Sequence, residues 1–494
     1  MGVPIAVAIC LGILAIALMV SSAFLHWFII PLFACGLLCC LDAVHLLDNK
    51  GRDLFDPVPL LGLFGLYFFY VAPLLHVGLG YWFINRYFAP TDRPEDWRTW
   101  LGGMGIINFF GLAIYRACHK RFAKSPAGTV YRLRTSALRL YGFPLLALTL
   151  MLQIYVYVAF GGLGGYVDAY ANARRDQGFQ GLGWMLCIAE SFPVLLLIVF
   201  VATHKATFRS LPTLKLAVLL SVISVLILIF GGLRGSRSNT VISLIIVVGI
   251  IHAMVQRLSW RFFATFGAAV VAFMYIYGFY KVSPDTFWTA LTSSESRAII
   301  SQSSGRDLDG VLLGDLERSD IQAYLLFRIM QDGSQVRYGY GATYLDGMLN
   351  FIPRGLSSYR PPGKLKYGTN AIFGDGSYAE GRFAATKVYG LAGESMLNFG
   401  VCGVPVAFLA FGIVVGRLRA FGRRLEPGDS RQFMLPILSI LCVVALSSDV
   451  DNLIFVFLQN ALIPGILIWC SSSRTSYTDG PFVARAFREV CLIR

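Results

Sequence analysis

The chain alternates long stretches almost free of charge with short polar connections, and this alternation constrains its fold more than any other feature. Apolar segments lie near residues 3–24, 26–47, 58–83, 101–118, 140–160, 184–203, 213–233, 238–255, 262–280, 390–415, 432–448 and 453–470. Each approaches the length of roughly 20 residues that a helix needs to cross a hydrocarbon core. Inside a bilayer the backbone has no water to bond, so such segments must be helical. Only 14% of the 494 residues are charged and 56% are hydrophobic, whereas soluble domains carry about 25% charged residues. The expected fold class is therefore an all-α polytopic membrane protein with about twelve transmembrane helices. The first stretch, Val3 to Phe24, lacks the basic start and the cleavage site of a signal peptide, so a retained helix is expected there.

The connections set the orientation. Arg116, Lys120, Arg121, Lys124, Arg132, Arg134 and Arg139 crowd one of them without an acid. Lys205, Arg209, Lys215, Arg257, Arg261, Arg417, Arg419, Arg423, Arg424 and Arg431 fall on the same side when the helices are counted, as do Arg474, Arg485, Arg488 and Arg494 in the tail. The positive-inside rule makes that side, and both termini, cytoplasmic. The expected organisation is helices 1–9 in residues 1–280, a large extracytoplasmic loop in 281–389, helices 10–12 in 390–470 and a cytoplasmic tail in 471–494. The loop holds 12 Lys/Arg and 11 Asp/Glu, so it is nearly neutral. Leu312 to Met330 has helical spacing within it, and Pro353, Pro361 and Pro362 rule out one long helix. A loop of this length with aromatic and apolar content is usually functional.

Several function classes drop out. The net charge of +14 follows from the basic cytoplasmic loops and gives no reason to expect nucleic acid. Nine of the ten cysteines lie in or at the ends of apolar segments, and the tenth is Cys491 in the tail; they read as small buried hydrophobes. No metal-ligand spacing is present, and no phosphate-binding glycine loop or nucleotide fingerprint. No histidine falls in the large loop, so a base there would be a carboxylate.

Three groups of residues carry candidate chemistry. Arg234 and Arg237 flank a Gly-Ser turn on the extracytoplasmic side, against the charge rule. They either anchor helix ends by snorkelling or bind an anion such as a diphosphate with two guanidinium forks. In the loop, Arg354, Arg360, Lys364 and Lys366 bring four cations within 13 residues among prolines. That patch is either a solvated surface or converges with Arg234 and Arg237 on one anion. The third group is Asp375, Glu380 and Arg382, followed by Glu394 and Asn398 four residues apart on one helical face. A carboxylate at membrane depth is a functional candidate, and its plain alternative is a pair with a neighbouring basic residue. Asp449, Asp451 and Asn452 form a polar turn on the same side.

These residues resemble the Wzy-type oligosaccharide repeat-unit polymerases of bacteria. Gly231-Gly232-Leu233-Arg234-Gly235-Ser236-Arg237 before an apolar helix is similar to that family's Arg-Gly segment. Tyr338 to Arg354, ending Ile352-Pro353-Arg354 with Lys364 beyond, is similar to its glycine, Thr-Tyr, Ile-Pro-Arg and Lys run. Glu394, Asn398, Phe399, Gly400 and Gly403 are similar to the opening of its post-loop helix. The resemblance covers roughly residues 230–415; the first six helices match in hydropathy alone.

The resemblance implies a GT-C-like membrane glycosyltransferase of the bacterial inner membrane. It would join undecaprenyl-diphosphate-linked oligosaccharide repeat units into O-antigen, capsule or exopolysaccharide, without metal, nucleotide or other cofactor. A chain-length regulator and a repeat-unit flippase are the protein partners it implies. The diphosphate contacts expected are Arg234, Arg237, Arg354 and Arg382, supported by Arg360, Lys364, Lys366 and Asn398, with Glu394 or Glu380 as the catalytic carboxylate or the residue orienting an arginine. Two alternatives stand beside it. A ligase-like transferase would share this topology but usually places a histidine in the loop. A polysaccharide or lipid transporter would tend to show inverted repeats, and none is visible.

Overall fold

Asp56 shows how one span begins. Its carboxylate accepts the Val58 N–H at 3.0 Å, and Pro57 sits at the first helical position, where its missing N–H costs nothing. The helix passes a π-turn at Tyr67–Val71 and ends at Leu79, closed by the left-handed Gly80 (φ 60°). The computed structural model describes residues 2–44, 46, 54–88, 90, 92–123, 129–171, 182–204, 213–234, 237–282, 287–304, 307–331, 336–349, 352, 359–379 and 387–475.

Among the described residues ten helices are long and apolar enough to cross a membrane. They are Gly2–Val20, Pro57–Leu79, Trp97–Phe122, Thr135–Ala159, Gly183–Thr203, Arg237–Met254, Trp260–Tyr280, Gly403–Arg424, Ser430–Ser447 and Val450–Ser471. Two shorter apolar helices, Ile29–Ala43 and Leu214–Phe230, accompany them. Together they correspond to the twelve apolar segments of the sequence, and the protein is an all-α polytopic membrane protein. Gly183–Thr203, Pro57–Leu79 and Arg237–Met254 lie centrally, with 67%, 61% and 61% of their apolar windows buried. Gly2–Val20, Trp260–Tyr280 and Thr135–Ala159 have 11%, 22% and 28% buried and form the periphery. Met19, Met151 and Val158 point outward from them, a surface suited to lipid.

Two opposite ends of the bundle differ in chemistry. At one, Val130–Leu133 pairs antiparallel with Ser472–Thr475, Tyr131 opposite Arg474. This ribbon is the one sheet among the described residues. The Arg134 N–H donates to Ser471 O at 2.9 Å, the Tyr131 N–H to Asp429 at 3.3 Å, and Arg419 pairs with Asp56 at 3.0 Å. The basic connections around 130, 430 and 472 therefore share one end, called here the basic face. The long loop lies at the other, the loop face.

The loop is not simply an appendage. Its sequence-predicted helical stretch, Leu312 to Met330, forms a π-turn at Gly310–Asp315 and a helix at Ser319–Gln331. Every residue from Ser319 to Arg328 is buried. Tyr324, Leu325 and Phe327 join the same core as Trp97, Met104 and Leu112 of the Trp97–Phe122 span. Tyr324 stacks on Trp97 with ring centroids 6.2 Å apart, and Phe327 meets Trp100 edge-on at 5.3 Å. Part of the loop is thus core.

The apolar segment at 390–415 is not one helix. It breaks at Gly400 (φ 66°) into Gly390–Phe399 and Gly403–Arg424. The corner is tight: a Cβ at Gly403 would lie 2.7 Å from Ser395 Oγ. Glu394 and Asn398 consequently sit on a separate ten-residue helix ahead of the span.

Candidate functional site

Asn398 ties its own helix to the loop turn at 339–343. Its Nδ2 donates to Thr343 Oγ1 at 2.7 Å and to Glu394 O at 2.9 Å. Its Oδ1 accepts the Gly341 N–H at 2.9 Å. Two backbone bonds extend the clip: Gly339 N–H donates to Leu397 O at 2.9 Å and Tyr340 N–H to Asn398 O at 3.0 Å. The turn needs its glycines. Gly341 has φ 91°, and a Cβ on Gly339 would lie 2.8 Å from Asn398 Oδ1. Tyr340 itself has φ 47°, a conformation uncommon outside glycine.

Glu394 completes this knot. Its Oε1 accepts the Thr343 hydroxyl at 2.8 Å, and its Oε2 accepts the Val450 N–H at 2.8 Å. The side chain is 3% exposed. Burial raises its pKa, and Asp449 nearby raises it further against the two bonds it accepts. Asp449, fully buried, accepts the Tyr389 and Gly390 N–H groups at 2.8 and 2.9 Å. Lys364 closes the site, donating to Asp449 and Asp451 at 2.8 Å each. Burial acts to lower the Lys364 pKa, and the two carboxylates outweigh it and raise the net value. Asp346 lies nearby; burial and Asp451 push its carboxyl up. Around this acidic knot the surface is aromatic: Tyr340 is 78% exposed and Phe399 47%, with Tyr344 6.3 Å from Phe399.

The Arg234–Arg237 turn is held separately. Three tyrosine hydroxyls grip its backbone: Tyr157 donates to Ile229 O, Tyr277 to Gly232 O, and Tyr280 to Leu233 O at 3.2 Å. Arg237 is buried and pairs with Asp315 of the loop at 2.7 Å. Its Nη1 also lies 3.4 Å from Met274 O. Glu190, 3% exposed, lies against the turn; a Cβ on Gly231 would sit 3.0 Å from its Oε2.

A third buried cluster joins the loop to the Pro57–Leu79 helix. His76 Nε2 lies 2.6 Å from Glu317 Oε1, and its Nδ1 lies 2.5 Å from Tyr81 O. Each ring nitrogen thus faces an acceptor, which the doubly protonated ring satisfies. Burial pushes the Glu317 carboxyl up, but His76 and Ser319 outweigh it and hold it below its ordinary value. Asp320 accepts the Ile84 N–H at 3.2 Å and lies 3.9 Å from Lys387 Nζ. Lys387 rests over the Phe83 ring at 3.6 Å, and burial pulls its pKa down. His76, Glu317 and Asp320 have ligand atoms within 4.8 Å of one another. Two atoms bound to one tetrahedral zinc at about 2.0–2.1 Å would be about 3.3 Å apart. The 2.6 Å His76–Glu317 separation fits a shared proton, and the three would have to spread to hold an ion.

The expected residues fare differently. Glu394, Asn398 and Lys364 converge, together with the Asp449–Asp451 turn. The structure gives Arg237, one of the four arginines expected to contact diphosphate, to Asp315, and Lys364, expected to support them, to two carboxylates. Glu394 bonds to Thr343 and Val450 rather than to an arginine among the described residues. Lys366 is exposed, and Arg360 is half-buried with its Nη2 donating to Ile352 O. Glu380, Arg354, Arg382 and the side chain of Arg234 lie outside the described residues. Sequence reasoning passed over Glu190, Asp315, Glu317 and Lys387. Glu190 had a usable signal, a carboxylate inside the apolar segment 184–203.

No family model, curated protein or solved structure matches this chain.

Proposed function

We propose that the protein polymerises undecaprenyl-diphosphate-linked oligosaccharide repeat units at the outer face of a bacterial inner membrane, with a GT-C-like arrangement and both termini cytoplasmic. One observation carries the reading. The segments that resemble the repeat-unit polymerases, 339–344, Lys364 and 394–403, are far apart in sequence yet are joined by Asn398, Thr343, Glu394 and Asp449 at the edge of the bundle. A chain that needed these segments only as solvated loop would not bury their polar groups together.

In this reading an acceptor hydroxyl oxygen bonds to the anomeric carbon of the growing glycan. The bond from that carbon to the diphosphate breaks, and its electron pair leaves with the diphosphate. The hydroxyl proton goes to a carboxylate, for which Glu394 in its deprotonated form and Glu380 are the candidates. Arg237 meets the leaving charge by exchanging Asp315 for the diphosphate. Lys364 acts by holding Asp449, and Lys366 offers an exposed cation beside it. Tyr340 and Phe399 give glycan and lipid an aromatic surface to lie on.

Purified protein in liposomes, supplied with lipid-linked repeat units alone, tests this. A ladder of lengthening lipid-linked glycan is expected. Transfer to a different lipid or protein acceptor would favour the ligase-like reading, and movement across the bilayer without bond formation the transporter.

A further inference from the structure

A cleft of about 400 Å³ opens at the basic face, between the start of the Pro57–Leu79 helix and the ends of Arg237–Met254 and Gly403–Arg424. It is remote from the candidate site. The 18 residues of Arg237–Met254 put about 27 Å between their ends at 1.5 Å per residue, with Arg237 at one end and His252 at the other.

The lining has a definite chemistry. Arg257, Arg419 and Arg423 contribute three guanidinium groups, and Asp56 is the one acidic residue among the described residues that line it. Asp56 is already committed: Oδ1 accepts the Val58 N–H at 3.0 Å, and Oδ2 accepts Arg419 Nε at 3.0 Å. It therefore fixes the direction of the Arg419 guanidinium. Phe55, Pro57, Leu435 and Pro436 make an apolar wall.

His252 supplies an independent observation. It lines the cleft and is 6% exposed. Its Nδ1 accepts the Leu258 N–H at 3.0 Å, so the neutral ring carries its proton on Nε2. That Nε2 is buried with no hydrogen-bond partner. A buried donor left unpaired is costly, and an acceptor seated in the cleft would satisfy it.

We infer that this cleft binds a phosphate-bearing anion. Guanidinium groups suit phosphate oxygens, His252 adds a neutral donor, and the apolar wall accommodates whatever the phosphate is attached to. The shared chemistry is the phosphate, whether on a membrane phospholipid or free in solution.

Thermal unfolding of the full-length protein in detergent tests this, with inorganic diphosphate, with phosphatidylglycerol and with zwitterionic phosphatidylcholine as control. The melting temperature should rise with probe concentration. A rise with diphosphate identifies a soluble source; a rise with phosphatidylglycerol alone identifies the lipid. The R257Q/R423Q double variant changes two exposed side chains and should fold, yet bind the active probe at least about tenfold more weakly, since two charged hydrogen-bond donors are lost. His252→Phe should weaken it as well. If neither anion shifts the melt, or if the double variant keeps the full shift, the inference is overturned.

Discussion

Thr343 donates its hydroxyl proton to Glu394 while its oxygen accepts from Asn398, at 2.8 and 2.7 Å. One side-chain oxygen thus links the loop turn to the helix ahead of a span. Thr343→Val keeps the shape but leaves Glu394 Oε1 and Asn398 Nδ2 each short of a buried partner. The expected loss is about 1–3 kcal/mol of stability, read as a lower melting temperature, with Thr343→Ser close to wild type. A valine variant that melts with wild type would mean that the hydroxyl does not hold the turn.

Glu394 gives a pH test. Its pKa in the folded protein lies above the ordinary 4.5, so the native state keeps a proton that the unfolded chain has released. Stability from this group is therefore greatest below 4.5, falls as pH rises toward the raised native value, and levels off above it. The slope in that window approaches about 1.4 kcal/mol per pH unit for one proton. Glu394→Gln, which stays neutral throughout, should flatten the stability curve over that range and lie above wild type at its alkaline end. Parallel curves for the two proteins would show that the carboxyl is not held protonated.

Lys364 and Asp449 are a buried pair whose partners differ in need. Asp449 is fully buried and Lys364 is 16% exposed. Lys364→Met strands the buried carboxylate, with an expected cost of about 3 kcal/mol or more. Asp449→Asn keeps an oxygen for the Tyr389 and Gly390 N–H groups, so adding it to Lys364→Met should recover much of the loss. If the double variant is as unstable as the sum of the two singles, the pair is not coupled.

What the sequence made legible follows from how local each signal is. Span positions rest on hydropathy within a single window, and all twelve segments correspond to helices. The break at Gly400 was hidden because apolar residues continue through it and a lone glycine does not reveal whether it takes a positive φ. Glu394 and Asn398 were visible as polar residues at helical spacing. Their partners Thr343 and Val450 were not, because those bonds span 51 to 56 positions. The burial of Ser319 to Arg328 was also out of reach. Arg318, Asp320 and Arg328 give it a surface-like composition, and tertiary partners such as Asp92 for Arg328 take up that charge.

His76 and Glu317 fasten the buried loop helix to a span with both side chains wholly buried. Glu317→Gln removes the negative partner and should destabilise by about 3–5 kcal/mol, whereas His76→Gln combined with Glu317→Gln restores a neutral hydrogen-bonding pair and should cost less than either single change. Chelator should leave the wild-type melt unchanged if a proton joins the two. A drop in melting temperature with chelator, reversed by zinc, would show instead that the cluster opens around an ion.

Arg237 and Asp315 separate capture of an anion from mere fastening of the loop. The pair is close, at 2.7 Å, with Arg237 7% and Asp315 30% exposed. If Arg237 exists to meet a leaving diphosphate, Asp315 is a placeholder that the substrate displaces. Arg237→Ala should then stop growth at single repeat units, a loss of at least about 100-fold in polymer, as for removal of one transition-state donor. Arg237→Lys should give short chains, because a point charge replaces a two-pronged donor. Asp315→Asn should keep polymer of wild-type length or longer, since the competitor for the guanidinium has lost its charge. A fastening role predicts the opposite pattern, with Asp315→Asn and Arg237→Ala equally short and equally unstable. Glycan length on gels, with protein level and melting temperature measured for the same variants, distinguishes the two.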